Sequence, residues 1–408
     1  MRSRGGLVLI TLLCGLGYMM YSVDRMVMSS SVGLIAKQFD LSKGTSGLLL
    51  SSFFYGFVVL LFVGGVLSDK FTGKLVLVCG LTLFSLATGA TGLATGLTTM
   101  LIYRIVTGLG EGLFWPAASQ EIALVTTPQE RTTVMSIYWA GYPIGGFFGT
   151  WLGAVVGSRY GWRPVFLVAM LLGLVVSLLY AVLVRYPRGD RAKLNLTEQV
   201  PLRAMFRRPA VVVFGIFYLL LMSGWWIVLL WAPTFLMTVK HMSLSEGGVI
   251  ASLMGLSGAL GGVLIGRFCD RGTIVRRKQV LVFITLATGV LMALMVAALP
   301  VWLLVIVVLL LGFFGYPITP VILTLTSQVV PNRVAGSAIG LVMNVGMLAG
   351  AITPALAGFL QEHMAMTHVW MLAALVQLVS CIALLFTGRL QAAGVLKQRG
   401  ESVSTSLS

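Results

Sequence analysis

Twelve apolar segments, each long enough to cross a lipid bilayer, constrain the fold of this chain more than any other feature. A transmembrane helix needs about 20 mainly apolar residues, and segments of that kind recur along the whole sequence. We therefore predict an all-α membrane protein with twelve transmembrane helices. The predicted spans are roughly 7–31, 45–67, 75–97, 99–125, 132–157, 163–184, 209–238, 246–268, 279–298, 301–329, 334–360 and 368–387.

The composition also excludes an ordinary soluble domain. Hydrophobic residues make up 58% of the chain and charged residues only 10%, whereas soluble chains carry roughly a quarter charged residues. The formal net charge is +16, but a nucleic-acid site gathers Lys and Arg on one folded face. Here they lie between apolar runs, so we expect no nucleic-acid partner. The four cysteines are scattered without a CxxC pair, and we expect neither a metal site nor a cofactor.

A long polar segment from Arg185 to Arg208 divides the twelve spans into six and six. The side of a membrane that holds most Lys and Arg is the cytoplasmic side. About 21 of these residues fall on the side of the two termini and the central segment, and 5 fall on the other side. We therefore expect both termini to be cytoplasmic. The predicted parts are an N-terminal six-helix bundle (1–184), a cytoplasmic linker (185–208), a C-terminal six-helix bundle (209–388) and a cytoplasmic tail (389–408).

A short pattern of Gly, three residues, Asp and a basic residue occurs twice, 201 residues apart. Such duplication is typical of transporters that rock one half against the other. We place both copies in cytoplasmic loops, after the second and eighth helices, and interpret them as a latch that breaks as the halves move. The alternative is a solvated loop charge. The copies comprise Gly65, Asp69 and Lys70, and Gly266, Asp270 and Arg271.

Four ionisable residues inside predicted helices are functional candidates, because a charge in hydrocarbon is costly. Asp24 and Arg25 lie in the first helix, and Arg104 and Glu111 lie in the fourth. At a rise of about 1.5 Å per residue, Asp24 and Arg104 share a depth in the outward half, where they can pair. Glu111 lies two turns deeper, near the midplane, where transporters bind their substrates.

These residue types suit an anionic substrate and a coupling proton. The rigid fork of Arg matches a carboxylate, and a buried carboxyl can exchange a proton unless an arginine holds it ionised. The alternative is two structural ion pairs that carry no substrate. Glu121, near the end of the fourth helix, is better explained as a local structural charge. Asn344 is a further candidate, because a buried amide needs hydrogen-bond partners.

The twelve spans, the doubled pattern and the basic linker resemble the major facilitator superfamily over essentially the whole chain. Within it, the chain is most similar to the anion:cation symporter family of organic-anion transporters. The first helix carries a similar Asp24-Arg25 pair. The fourth, from Arg104 to Ala117, matches the pattern R-x-x-x-G-x-G-E-x-x-x-x-P-A. Parts of the seventh and eleventh helices also resemble this family.

The resemblance implies a major facilitator fold and a role for each candidate. Arg25 would bind the substrate anion, and Asn344 would contact it from the second half. Asp24 and Glu111 would carry protonation, and Arg104 would modulate Asp24. The remaining predicted substrate contacts are Tyr21 and Tyr142.

The chain also departs from the family at positions that often hold tyrosine or glutamine. It has Ser22 two residues before the aspartate, Leu61 and Val63 before the first Gly-Asp pattern, and Tyr142 in the fifth helix. Fewer amides indicate a less hydroxylated substrate than a sugar acid.

We predict a proton-coupled symporter of a small organic anion, of the carboxylate or sugar-acid type, that works by alternating access as a monomer in the inner membrane. One alternative is a proton-driven exporter of hydrophobic or cationic compounds. A second is an organophosphate-type antiporter, which the lack of Lys and Arg between Arg208 and Lys240 disfavours. A third is a membrane sensor that has lost transport.

Overall fold

The computed structural model describes residues 4–184, 208–270, 273–330 and 334–384, with only the backbone of 4, 61–66, 68–70, 128–129, 131–133 and 270. The regular structure of these residues is helical throughout. The helices are α1 (Arg4–Phe39), α2 (Lys43–Lys70), α3 (Gly73–Gly92), α4 (Leu97–Val125), α5 (Pro128–Tyr160), α6 (Trp162–Leu183), α7 (Pro209–Thr238), α8 (Leu244–Asp270), α9 (Ile274–Leu294), α10 (Val301–Gly315), α11 (Ile318–Gln328), α12 (Ala335–His363) and α13 (Met366–Leu384).

The described helices make twelve spans, six on each side of the segment 185–207, which confirms the predicted fold class. Ten spans are recognisable by length and apolar composition alone. The other two, α4 and α5, have 29 and 33 residues and are also long enough to cross a bilayer. The predicted single helix over 301–329 is broken into α10 and α11, because Pro317 has no backbone N–H with which to continue α10. The domain boundaries at 184, 208 and 388 stay predictions.

Polar residues explain where several helices begin. The side-chain oxygens of Ser42, Thr72, Thr127 and Thr273 accept hydrogen bonds from the first turns of α2, α3, α5 and α9, as N-cap residues do. Gly161 alone joins α5 to α6, and its φ of 80° is one that glycine adopts without strain. We call the end of the bundle where α1 and α7 begin the terminal face, and the opposite end the far face.

The described residues of the repeated Gly-Asp pattern lie in helices rather than in loops, so the predicted placement was wrong for them. α2 continues to Lys70 and α8 to Asp270, so Gly65–Lys70 and Gly266–Asp270 occupy the last turns of a helix. The predicted spans ended before the charged residues, because a charge inside hydrocarbon is costly. A helix end that projects beyond the hydrocarbon can carry charges without that cost, so the helices continue further than predicted. Gly266 is described fully, whereas only the backbone of Gly65, Asp69, Lys70 and Asp270 is described and Arg271 lies outside the described residues. The latch therefore stays a prediction.

The two halves of the bundle meet near the far face through closely packed backbones. A Cβ atom on Gly47 of α2 would lie 2.5 Å from the carbonyl oxygen of Pro354 and 3.0 Å from the Cα of Gly358, both in α12. In a second contact, a Cβ on Gly248 of α8 would overlap the Cβ of Ala154 in α5. Small residues at such positions let helices approach closely in membranes.

Hydrogen bonds join the halves at the same end. Ser29 Oγ of α1 donates to the carbonyl oxygen of Leu230 in α7 over 2.7 Å. The backbone N–H of Gly44, in the first turn of α2, donates to Glu362 Oε1 of α12 over 2.9 Å, so a side chain of the second half satisfies an open backbone donor of the first. The far face is thus held closed by both packing and hydrogen bonds.

A side chain at Gly47 should push α2 away from α12 and open the far face. In protein without its native cysteines, we expect Gly47→Val to speed the reaction of a cysteine at Ser51 with an impermeant maleimide several-fold, because Ser51 is buried at this interface. Gly262→Val is the matched control, since no described atom lies within 4 Å of a Cβ there. Unchanged labelling in Gly47→Val, or an equal rise in the control, contradicts this packing.

Candidate functional site

Two helices of the first half supply all four candidate charges. Asp24 and Arg25 are consecutive in α1 and so point in directions about 100° apart. Arg104 and Glu111 are separated by two turns in α4 and so share one face of that helix. As a result, Asp24 can approach one end of this face of α4, where Arg104 lies, and Arg25 can approach the other end, where Glu111 lies.

Asp24 pairs with Arg104, as their common depth predicted. Arg104 Nη1 donates to Asp24 Oδ2 over 2.8 Å. The hydroxyl of Thr88, in α3, donates to the other carboxylate oxygen, Oδ1. Both oxygens of Asp24 are therefore bound, one by a charged group and one by a neutral group from a third helix.

Arg25 pairs with Glu111, a partnership that the sequence alone did not identify. Arg25 Nη2 and Nε donate to Glu111 Oε2 over 2.6 Å and 3.0 Å. Arg25 Nη2 also donates to the hydroxyl oxygen of Tyr21, one turn earlier in α1. Hydrogen bonds that join two ionised groups are among the strongest in proteins, so this pair fixes α1 against α4 near the middle of the bundle.

Both ion pairs are withdrawn from solvent. The exposed fractions are 2% for Asp24, 1% for Arg25 and 0% for Arg104 and Glu111. Taking an ion out of water costs several kcal/mol, which only a close, well-bonded partner offsets. Glu111 Oε1 and Arg104 Nε and Nη2 have no hydrogen-bond partner among the described residues. The site thus keeps unused acceptor and donor capacity beside its charges.

Aromatic rings surround the guanidinium group of Arg25. Its Cζ lies 4.0–5.6 Å from five ring centroids, within the range of cation–π attraction. One ring belongs to the second half, so Arg25 touches both halves of the protein. The rings are those of Tyr21 at 4.0 Å, Phe53 at 4.5 Å, Phe57 at 5.1 Å, Phe54 at 5.3 Å and Trp226 at 5.6 Å.

A small cavity of about 30 Å³, room for about one water molecule, lies beside Arg25, between α1, α2, α4 and α12. Tyr21 and Asn344 line it, whereas the four charged residues do not. Tyr21 links Arg25 to the cavity, because Tyr21 is a lining residue and its hydroxyl oxygen accepts a hydrogen bond from the guanidinium group. The lining residues are Tyr18, Tyr21, Phe57, Trp115, Gly340, Met343, Asn344 and Met347.

The other predicted site residues lie at different distances from this cavity. Tyr142 of α5 is outside the lining but its ring centroid is 5.4 Å from that of Tyr18 and 6.1 Å from that of Tyr21. Glu121 lies almost three turns beyond Glu111 towards the terminal face and accepts a hydrogen bond from Tyr180 of α6 over 2.8 Å. This contact fits the expected local structural role.

Sequence reasoning missed the aromatic residues that enclose Arg25. Phe53, Phe54 and Phe57 recur on α2 at helical spacing, a pattern that more often indicates simple packing. Trp226 lies in an apolar predicted helix, where most aromatic residues simply pack or mark the membrane interface. The available signal was an arginine inside an apolar predicted span, because a guanidinium group in an apolar site needs aromatic or ionised neighbours.

Removing one partner of the Asp24–Arg104 pair should destabilise the fold. Arg104→Met keeps the length of the side chain but leaves Asp24 buried without its counter-charge, so we expect the free energy of unfolding to fall by about 3–5 kcal/mol. The double variant Asp24→Asn/Arg104→Met should recover most of that loss, because no isolated charge remains. Thermal unfolding in detergent measures both, with the exposed Arg159→Met as control. Equal stability of Arg104→Met and the control, or no recovery in the double variant, contradicts the pairing.

Comparison with known proteins places the chain among membrane transporters. The family model described as Major Facilitator Superfamily matches residues 14–354 and 272–404. The chain is 26% identical to a hexuronate transporter of Bacillus subtilis over 379 residues, which covers 89% of this chain and 90% of the relative. It is also 26% identical to a probable sulfoacetate transporter of Cupriavidus necator over 382 residues, 87% of each chain.

A solved D-xylose-proton symporter shares the fold, with a TM-score of 0.78, 18% identity and coverage of 92% of this chain and 97% of that one. The twelve spans, the two like halves and the family match agree over most of the sequence. The chain belongs to the Major Facilitator Superfamily, whose members are multi-pass membrane transporters and not enzymes.

Proposed function

We propose that this protein is a secondary active transporter that carries a small organic anion together with protons by alternating access. The observation that carries the proposal is the buried contact of Arg25 with Glu111 and Tyr21, at the wall of a cavity that both halves line. A single buried cation beside a cavity suits one carboxylate of a substrate. The names of the two relatives, which refer to a hexuronate and to sulfoacetate, support an organic acid.

Charge balance supplies the coupling to protons. Arg25, Glu111, Arg104 and Asp24 together carry no net charge when all are ionised. A substrate carboxylate that approaches Arg25 adds one negative charge to a site without solvent, and a proton on Glu111 cancels it. Protonation also weakens the hold of Glu111 on Arg25, which frees the guanidinium group for the substrate. Proton and anion therefore favour each other's binding, as thermodynamic linkage requires.

The Asp24–Arg104 pair offers a second protonation site in the same half. Arg104 donates to one carboxylate oxygen of Asp24, and Thr88 donates to the other. A proton on Asp24 would release Arg104, whose Nε and Nη2 already lack partners among the described residues. In this proposal Asp24 binds a proton and Arg104 sets how readily it does so.

Access alternates between the two faces of the membrane. We assign the terminal face to the cytoplasm because it holds the excess of Lys and Arg. The contacts at Gly47 and Gly248 then close the periplasmic side, which corresponds to a state of the cycle that faces the cytoplasm. The Gly-Asp patterns at the ends of α2 and α8 would latch the opposite state. We further propose a monomer in the bacterial inner membrane.

Substitutions at the Arg25–Glu111 pair should separate binding from coupling. In proteoliposomes with an imposed pH gradient, Arg25→Gln should abolish uptake of organic acids, because the substrate loses its counter-charge. Glu111→Gln should lose proton-driven accumulation yet keep exchange of preloaded substrate, because the amide cannot take up the coupling proton. The exposed Arg159→Gln is the control and should behave as the wild type.

Three outcomes contradict the proposal. Full proton-driven accumulation in Glu111→Gln removes this residue from coupling. Efflux of hydrophobic cations without any transport of acids favours an exporter, in which Asp24 and Glu111 would attract the cation. Binding of an acid with no flux in any condition favours a sensor.

A further inference from the structure

A second cavity, of about 500 Å³, lies between the two halves at the far face. α1 and α2 form its wall on the first half, and α7, α12 and the start of α13 form its wall on the second. The contact between Gly47 and Pro354 lies one turn deeper along α2 than Lys43, which lines the cavity, so the cavity is on the aqueous side of the closed contact. Sites for small molecules cover roughly 300–1,000 Å³, so this cavity is large enough for one.

The charge of this outer cavity favours an anion. Lys43 and His241 line it and are exposed, and no acidic residue is among the described residues that line it. Glu362 follows a lining residue in the sequence, but its Oε1 accepts a hydrogen bond from the backbone N–H of Gly44 over 2.9 Å. A concave surface of one charge sign raises the local concentration of ions of the opposite sign.

Lys43 already joins the two halves at this place. Its Nζ donates to the backbone oxygen of Gln361, in the last turns of α12, over 3.2 Å. That bond uses one of the three donors of an ammonium group. The other two are available to a ligand in the cavity.

Gln361 presents its side-chain amide to the same cavity from the second half. It is 5% exposed and lines the cavity, and its amide makes no hydrogen bond to another described residue, whereas its backbone oxygen accepts from Lys43. A primary amide has two N–H donors, and a buried one needs partners. Lys43 and Gln361 therefore offer donors to one ligand from opposite halves.

The rest of the wall distinguishes an organic anion from a simple ion. Val32 of α1, Trp231 of α7 and Met366 of α13 line the cavity with apolar surface, against which the carbon body of an organic acid can pack. A halide ion would make no use of this surface and would leave most of the volume to water. The cavity thus combines donors for a carboxylate with a wall for its carbon body.

We infer that the outer cavity is a second binding site for a small organic carboxylate, which bridges Lys43 and Gln361 and holds the far face closed. The two residues belong to different halves, so they part when the halves separate there. A ligand that binds one of two states shifts the equilibrium towards that state. The inference rests on the alternating access of the proposed function and adds inhibition by external acid at high concentration.

Cysteine labelling tests this site apart from the central one. In Arg25→Gln protein without its native cysteines, a cysteine at Ser51, which is buried at the closed interface, reports opening of the far face to an impermeant maleimide. Benzoate is the probe, because it is a monocarboxylate with an apolar body. We expect it to slow labelling about tenfold at ten times its half-saturating concentration, whereas chloride at the same ionic strength should not.

Substitutions of Lys43 identify the residue responsible. Lys43→Met should abolish the protection by benzoate, measured as the ratio of labelling rates with and without it in the same variant, and Lys43→Arg should keep the protection. Lys37→Met is the matched control, since Lys37 is exposed at the same end of the bundle and does not line the cavity. Equal protection by chloride, protection that survives Lys43→Met, or protection that requires Arg25 overturns the inference.

Uptake separates the failure of this inference from the failure of the proposed function. With Arg25 present, uptake of a transported acid should rise and then fall as the external concentration increases, and Lys43→Met should remove the fall but not the uptake. Simple saturation in both proteins overturns the inhibition and leaves the symporter. Absence of Arg25-dependent uptake for every acid, with labelling still slowed through Lys43, overturns the proposed function and leaves the outer site.

Discussion

The burial of four charges in one half of a membrane protein governs the rest of this structure. Each charge is expensive in a medium without water, and each is tolerated because an opposite charge lies within hydrogen-bond distance across α1 and α4. The two helices therefore cannot rotate or slide independently without exposing an unpaired ion. The same constraint makes the site sensitive to added charge, because a charge brought in by a ligand must be balanced by a change in protonation or pairing among these residues.

Close packing of α2 against α4 sets the surroundings of these charges. A Cβ on Gly108 of α4 would overlap the carbonyl oxygen of Phe53, so only glycine permits the observed approach of the two backbones. That approach brings the ring of Phe53 to 4.5 Å from Arg25 Cζ and 5.1 Å from Arg104 Cζ. One aromatic side chain thus stabilises both cations, and the two ion pairs share an environment.

The sequence predicts depth in the membrane well and rotation about a helix axis poorly. The rise per residue of an α-helix is constant, which is why Asp24 and Arg104 were correctly placed opposite each other. Which face of α1 turns towards α4 depends on packing with neighbouring helices, so the contact of Arg25 with Glu111 required the structure. The same applies to Trp226, whose neighbours come from the other half of the chain.

Helix ends were a second limit of prediction. Prolines are visible in the sequence, yet Pro116 and Pro143 lie inside continuous helices while Pro317 lies at the break between α10 and α11. Each proline leaves a carbonyl group one turn earlier without its usual N–H partner. A helix continues through the proline where that carbonyl group finds another partner, and the availability of such a partner depends on tertiary contacts. The substrate roles of the candidate residues likewise depend on chemistry that spacing alone does not determine.

The hydrogen bond between Ser29 and Leu230 has a geometric consequence. These residues are 201 positions apart, the same offset that relates Gly65 to Gly266, so they are counterparts in the two halves. Two counterparts can touch only on the pseudo-twofold axis that relates them. In the proposed cycle the halves separate at the far face, so this contact on the axis would have to break there. The glycine contacts at Gly47 and Gly248 lie at the same end, so opening that end would require the axial hydrogen bond and both flanking contacts to be lost together.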